Sequence, residues 1–345
     1  MWSPQRDGVL FGKYGTIFGE DQVSVSGPRG GGIELWTLPT KWSGSATVLS
    51  VYQPDTGSVF KLHQALTDLE IEYETESGGL RPNISSLTAR EAFGPALRHS
   101  EPAFITVTYG ADGLAVYVNG KLAASDPGFR LNGGLSGRLI VGDAPRQPDS
   151  FRGKVRGLAI LASELNASDV WAEYRRWVEH ASPGARDYKA LYLFDEGQGR
   201  VIENHAGSAG RLWIPEKYTV VDKIALEPFW REFDFTREYW SGNLKNVIGF
   251  VPVGFIFYAY FRMARGARRP ALYTMVVGIL LSVTIEVLQA FLPMRDSGTT
   301  DIFTNAFGTY IGVVLFRGVT TWMRRRFPDQ IRSAESGLSA KESRW

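Results

Sequence analysis

Three stretches decide how this chain is read: VIGFVPVGFIFYAYF (247–261), ALYTMVVGILLSVTIEVLQAFL (271–292) and IFTNAFGTYIGVVLF (302–316). The first and third contain no charged residue, and the second contains only Glu286. At 1.5 Å rise per residue, about 20 apolar residues in a helix span a bilayer core. With their flanks included, the three runs predict membrane helices over about 244–262, 271–293 and 301–322.

The polar residues within and beside these runs are placed selectively. Asn246 opens the first, Glu286 and Gln289 sit near the end of the second, and Arg295 lies just beyond it. Asp301 and Asn305 open the third. Consecutive membrane helices alternate direction, so all six positions fall at the same membrane surface. The pairs Glu286/Gln289 and Asp301/Asn305 have the i,i+3 and i,i+4 spacings that share one helix face. Ionisable side chains inside a bilayer face the bundle interior or a watery cavity. The expectation is one inward-facing polar cluster in one leaflet, able to hold a phosphate- or sugar-bearing headgroup through an arginine beside carboxylates and amides. The plain alternatives are capping for Asn246 and Asp301, and interfacial anchoring for Arg295. Glu286 has no such explanation beyond a pairing with Arg295 or Asn305. Gly249, Gly254, Gly308 and Gly312 read as close-packing positions, the last two as a Gly-x-x-x-Gly face.

Two segments, NVIGFVPVGF (246–255) and IEVLQAFLPMRDSGTTDIFTNAFGTYIG (285–312), resemble the VanZ-like membrane family. The pattern is an Asn with Phe-x-Pro-x-Gly, then Glu-x-x-Gln, Pro-x-Arg, Asp, Asn and paired glycines across two helices. The resemblance implies a bacterial membrane protein, in a family named for a glycopeptide (teicoplanin) resistance protein. It implies no reaction. Such domains usually place one more helix before the Asn-bearing one.

Charge supplies an orientation. The segment RMARGARRP (262–270) has four arginines, and Arg324, Arg325 and Arg326 follow the third run, whereas PMRDSGTTD (293–301) has one. Positive residues stay cytoplasmic. The chain is therefore expected to enter the first helix from outside and end inside, in a multi-pass inner-membrane protein. The first 30 residues contain no export signal, so a start upstream of Met1 with an additional helix is expected.

Before residue 241 the chain is different in kind. Runs such as GGIELWTLP, DLEIEYET, FITVTYG and GLAVYVNGKLAA alternate with period two between Gly, Pro, Asp and Ser clusters. This patterning predicts an antiparallel sandwich. Asp112-Gly113 and Asn119-Gly120 are hairpin signals. The 38 glycines suit a turn-rich all-β fold, and the absence of cysteine excludes disulfides and thiolate metal sites. A net charge of +2 argues against a dedicated nucleic-acid binder.

FITVTYGADGLAVYVNGKLAAS (104–125) and LIVGDAPRQPDSFRGKVRGLAILASELNASDVWAEY (139–174) are similar to laminin-G-like/concanavalin-A-like jelly rolls. A closing helix is expected, with Asn166 as N-cap and Asp169 in its first turn. The fold serves carbohydrate binding, adhesion and hydrolysis alike. The combined reading is a multi-domain chain, an all-β concanavalin-A-like sandwich followed by an α-helical transmembrane bundle. Its expected parts are a jelly roll over 1–178, an extra strand pair and aromatic linker over 179–240, a VanZ-like bundle over 241–326, and a disordered tail over 327–345. Expected partners are the lipid bilayer and a cell-wall glycan or lipid-linked precursor.

Other chemistry has weaker support. Asp68, Glu70, Glu72 and Glu74 alternate along one strand about 7 Å apart, the scale of a glycosidase acid pair. Jelly-roll glucanases carry Glu-x-Asp-x-Glu or Glu-x-Asp-x-x-Glu, from which this row departs at its first two acids; the default is a solvated face. An envelope glycosidase, with Asp68, Glu70 and Glu72 as its acids, and an adhesion module on an anchor are the alternatives. No catalytic set is assigned. Asp112, Asp126, Asp143 and Asp149 lie in expected loops, where laminin-G-like rims hold Ca²⁺, though turn-forming Asp is the default. His63, His99, His180 and His205 are scattered without metal-ligand spacing, and no other cofactor is implied.

Overall fold

The computed structural model describes residues 7–25, 29–40, 45–75, 83–89, 97, 100–131, 134–180, 183–184, 186–207, 210–233, 237–293, 295 and 297–327. The chain divides into two compact units, Met1–Lys223 and Ile224–Trp345. His99 and the expected tail beyond Phe327 lie outside the described residues, as does the His180 side chain.

In chain order the first unit contains β1 (Val9–Phe11), β2 (Ile17–Val25), β3 (Gly31–Pro39), β4 (Ser45–Tyr52), β5 (Val59–Ala65), β6 (Asp68–Thr75), β7 (Asn83–Ala89) and β8 (Ala103–Gly110). Then come β9 (Gly113–Val118), β10 (Lys121–Asp126), β11 (Leu135–Val141), β12 (Gly153–Leu161), helix α1 (Ala167–His180), β13 (Tyr188–Tyr192), β14 (Val201–Ile202) and β15 (Leu212–Trp213). Among the described residues the strands form two antiparallel sheets. One has seven strands in the order β1-β12-β3-β8-β9-β10, with β13 also paired to β12. The other has eight, ordered β14-β15-β2-β11-β4-β5-β6-β7.

The core between the sheets is built from Ile33, Leu35, Ile105, Val107, Leu158 and Ile160 with Val23, Leu62, Leu69, Ile71 and Leu139, all buried. The seven-stranded sheet is covered on its other face too. Trp177 of α1 packs with Phe104, Ala159 and Leu191, and Val170 with Tyr117, Leu161 and Leu165. Strands buried on both faces need no polar alternation, which is why FITVTY is continuously buried whereas DLEIEYET alternates. Asn166 caps α1 as expected, its Oδ1 accepting the Asp169 N–H at 3.0 Å.

The β9–β10 hairpin turns on Asn119 (φ 51°) and Gly120 (φ 76°), the paired left-handed conformations of a type I′ turn. The segment expected as a strand pair beyond a jelly roll ending at 178 is part of the sandwich itself. Strand β13 completes one sheet beside β12, and β14 and β15 extend the other beside β2. Main-chain groups on a sheet edge seek partners, and these late strands supply them.

The second unit holds a short helix α2 (Phe229–Glu232) and three long ones, α3 (Arg237–Ala259), α4 (Pro270–Ala290) and α5 (Thr299–Arg326). One π-helical turn, Tyr260–Ala264, prolongs α3. Among the described residues, three helices are long and apolar enough to cross a membrane: Tyr239–Ala264, Pro270–Ala290 and Thr299–Arg326. The first begins earlier than the apolar run suggests, because α3 is already helical from Arg237.

Candidate functional site

The bundle is polar inside and apolar outside. On α4 the buried residues are Thr274, Gly278, Ser282 and Glu286, one every fourth position and therefore one stripe. On α5 they are Asn305, Gly308, Thr309, Gly312, Val313 and Phe316. Leu272, Leu280, Leu288, Phe303, Phe307 and Leu315 are exposed. Lipid is as apolar as leucine, so small and polar residues, rather than large apolar ones, draw membrane helices together. Helix α3 approaches α5 closely enough that a Cβ on Gly308 would lie 2.2 Å from the Val247 carbonyl oxygen, and one on Gly254 1.9 Å from that of Thr309. Gly312 is equally tight against Val251. Gly249 differs from expectation: its Cβ direction is open space, on the side of α3 away from α5.

The polar side chains form rungs between helices. Asn246 Nδ2 donates to Asp301 Oδ1 at 2.7 Å, joining α3 to α5. Asn305 Nδ2 donates to Ser282 Oγ at 2.9 Å, joining α5 to α4 one turn further along. Glu286 Oε2 accepts the backbone N–H of Gly298, the N-cap residue of α5, at 3.0 Å. Ser297 Oγ donates to the Glu286 carbonyl at 2.9 Å. The expected Glu286 pairing with Arg295 or Asn305 is thus replaced by a bond to main chain, since a helix N-terminus offers free N–H groups and positive potential. Asn246 is not a cap either, because α3 begins at Arg237.

A second carboxylate reaches the same helix start. Glu232 Oε2 accepts the Thr300 N–H at 2.9 Å and the Thr300 hydroxyl. Burial pushes the Glu232 carboxyl above its ordinary range, partly offset by those two bonds. Glu227 and Gly298 form a parallel bridge, with Thr299 N donating to the Glu227 carbonyl at 2.8 Å. The structure therefore brings Asn246, Glu286, Asp301 and Asn305 around the start of α5. Gln289 is half-buried on α4, and Arg295 is exposed in the α4–α5 loop. The Asn305 side-chain oxygen is buried without a hydrogen-bond partner. An unmet buried acceptor costs about 1–3 kcal/mol, which a donor entering the bundle would recover.

In the sandwich, Asp68, Glu70, Glu72 and Glu74 line one half-buried face of β6. Lys61 on the neighbouring strand lies 3.4 Å from Glu72 and 3.7 Å from Glu74, giving an ion-paired face. The loop aspartates do not converge. Asp112 is exposed in the β8–β9 turn, and Asp126 Oδ1 accepts the Gly128 N–H at 2.7 Å. Asp143 is buried, with Oδ1 accepting the N–H groups of Ala144 (3.0 Å) and Asp149 (2.7 Å) and Oδ2 accepting the Tyr218 hydroxyl (2.7 Å). Burial raises its carboxyl to about 6 despite those bonds. Asp149 Oδ2 accepts the Thr47 hydroxyl at 2.6 Å and lies 3.3 Å from His63 Nδ1. Among the described residues, one group has metal-ligand proximity, Asp195, Glu196 and His205, on the surface. Sequence spacing misses it because the loop after β13 folds back.

Residues 198–322 match the model of the VanZ/LLP1 family, and residues 14–171 match that of the concanavalin A-like lectin/glucanases superfamily. The chain joins these two parts. It is a membrane protein, its VanZ-like region supplying the three apolar helices. No curated protein matches it. Among solved structures, the native heptameric SAP-like pentraxin from Limulus polyphemus is 12% identical, with 48% of this chain and 77% of that one covered at a TM-score of 0.36. The CBM40 of Ruminococcus gnavus IT-sialidase, bound to α2,3-sialyllactose, is 16% identical, with 48% and 95% covered at 0.36.

Proposed function

We propose that this protein is a bacterial envelope protein that engages a polar lipid headgroup at the start of α5 and a glycan through its extracytoplasmic sandwich. The observation that carries the reading is the buried Asn305 oxygen without a partner, inside a bundle whose polar rungs converge on one helix start. Arg295, exposed in the adjoining loop, supplies positive charge for a phosphate. Asn246, Gln289 and Asn305 supply amides, Glu286 holds the Gly298 N–H, and Asp301 orients the Asn246 amide. The match to a lectin/glucanase superfamily supports glycan as the sandwich's ligand. A lipid-linked cell-wall precursor offers both chemistries in one molecule, and that is how susceptibility to a glycopeptide antibiotic would be altered.

The test is native mass spectrometry of the full chain, released from nanodiscs containing phosphatidylglycerol and phosphatidylethanolamine. Bound phosphatidylglycerol that falls in Arg295→Gln and in Asn305→Leu supports the reading. Equal lipid occupancy in the wild type and both variants sinks it.

A further inference from the structure

Three residues far apart in sequence meet on the outer face of the eight-stranded sheet. Ser45 begins β4, His63 lies on β5, and Asp149 lies in the loop between β11 and β12. Ser45 Oγ is 2.9 Å from His63 Nε2, and His63 Nδ1 is 3.3 Å from Asp149 Oδ2. Ser45 Oγ also donates to Asp149 Oδ1 at 3.4 Å, and Thr47 Oγ1 lies 3.4 Å from His63 Nδ1. We propose that Ser45, His63 and Asp149 are a nucleophile–base–orienter set that hydrolyses O-acyl esters.

The contact with Nε2 is the shorter of the two that the Ser45 hydroxyl makes. An imidazole that gives its Nδ1 proton to a carboxylate presents Nε2 as an acceptor, and the Ser45 hydroxyl is within hydrogen-bond reach of that nitrogen. Asp149 is held in place from a third side, because Thr47 Oγ1 donates to the same oxygen that faces His63 and Thr47 N donates to the Asp149 carbonyl at 2.9 Å. The base is thus oriented by a carboxylate that is itself fixed. The electrostatics agree. Burial disfavours the His63 cation, but the hydrogen bond and charge of Asp149 outweigh it, and the imidazole pKa is raised. Burial likewise raises the Asp149 carboxyl, and the bonds from His63 and Thr47 reverse that and lower it. Ser45 is exposed, so a substrate can reach it.

The reaction balances with water as the second reactant. The Ser45 oxygen attacks the ester carbonyl while His63 Nε2 takes the hydroxyl proton. The tetrahedral intermediate collapses, the alcohol oxygen leaves, and His63 returns the proton to it. Water then attacks the acylated Ser45, losing a proton to His63. The carboxylic acid departs as Ser45 recovers its proton from His63.

The surroundings select the substrate class. The same sheet face carries Lys61, Glu70 and Glu72, with His63 opposite Glu70 and Lys61 opposite Glu72 in the strand register. These neighbours suit a short acyl group on a sugar better than a fatty chain.

The test uses the full detergent-solubilised chain, a fluorophosphonate probe and p-nitrophenyl acetate. The expected result is one adduct, on the peptide bearing Ser45, absent in Ser45→Ala and slowed about 100-fold in His63→Gln, the scale of losing a general base. Ester hydrolysis should fall with the adduct, and should fall in the wild type as pH drops and His63 protonates. Asp149, Glu72 and Lys61 all act on that titration. Acetate release from acetylated xylan supports the sugar ester, and fatty-acid release from phosphatidylcholine vesicles in its place overturns that choice. No adduct at Ser45, an adduct forming equally fast in His63→Gln, or wild-type hydrolysis by Ser45→Ala overturns the set.

Discussion

The Glu286 carboxylate, one turn inside the end of α4, accepts the backbone N–H of Gly298, which caps α5, at 3.0 Å. An acid buried among membrane helices thereby acts as the cap of the next helix, and its own hydration is replaced by main chain and by Ser297. Replacing Glu286 by Ala leaves the Gly298 N–H without its acceptor, at a cost of about 1–3 kcal/mol. Glu286→Gln keeps a carbonyl in the same place and should lose less. Thermal unfolding in detergent, read by intrinsic fluorescence, should rank the wild type above Gln and Gln above Ala; equal midpoints for all three would contradict the capping role.

Packing between α3 and α5 makes a paired prediction. Gly254→Leu places a Cβ against the Thr309 carbonyl and should force the helices apart, whereas Gly249→Leu points into open space and should be tolerated. Size-exclusion profiles after detergent extraction check this. The first variant should aggregate or unfold, and the second should elute as the wild type does.

A pH effect is expected in the sandwich. Glu34 is fully buried beneath α1, accepts the Trp177 indole N–H at 3.0 Å, and has its carboxyl raised by burial to about 8. Glu173 raises it further, while Arg186 works against the shift. Because the folded value lies above the unfolded one of 4.5, the stabilisation is full below pH 4.5, declines as pH rises, and is gone above about pH 8. Trp177 fluorescence during urea unfolding should show a falling midpoint across that window. Glu34→Gln should flatten the dependence.

Gly120 sits at φ 76° in the β9–β10 turn, and a Cβ there would lie 2.6 Å from the Trp171 ring. Gly120→Val should destabilise the sandwich by more than the roughly 1 kcal/mol typical of Gly replacement at positive φ, since strain and overlap combine. Chemical denaturation of the full chain measures it.

Local patterns made much of this legible in the sequence. Uninterrupted apolar runs specify membrane helices because their length must match a bilayer. Period-two alternation specifies strands with one wet face, as in β6, and Asn119-Gly120 specifies its turn because few residue pairs adopt two consecutive left-handed conformations. The N-cap of α1 was readable for the same reason, since cap and capped N–H lie three residues apart.

What only the tertiary structure decided involves partners distant along the chain. The sequence by itself placed Glu286 in a helix, but its acceptor role depends on where Gly298 lies after the chain reverses. It marked Gly249 and Gly254 alike, and only the azimuth of α3 against α5 separates them. It read the segment of β13, β14 and β15 as an extra strand pair after the jelly roll and left their neighbours open, because strand partnership depends on which edges remain once the earlier strands have paired. Ser45, His63 and Asp149 carry no common motif, and the register of β4 on β5 brings two of them together while the loop before β12 supplies the third. Spacing along the chain encodes periodicity; contact across it is set by register and helix rotation, which are fixed when the whole core packs at once.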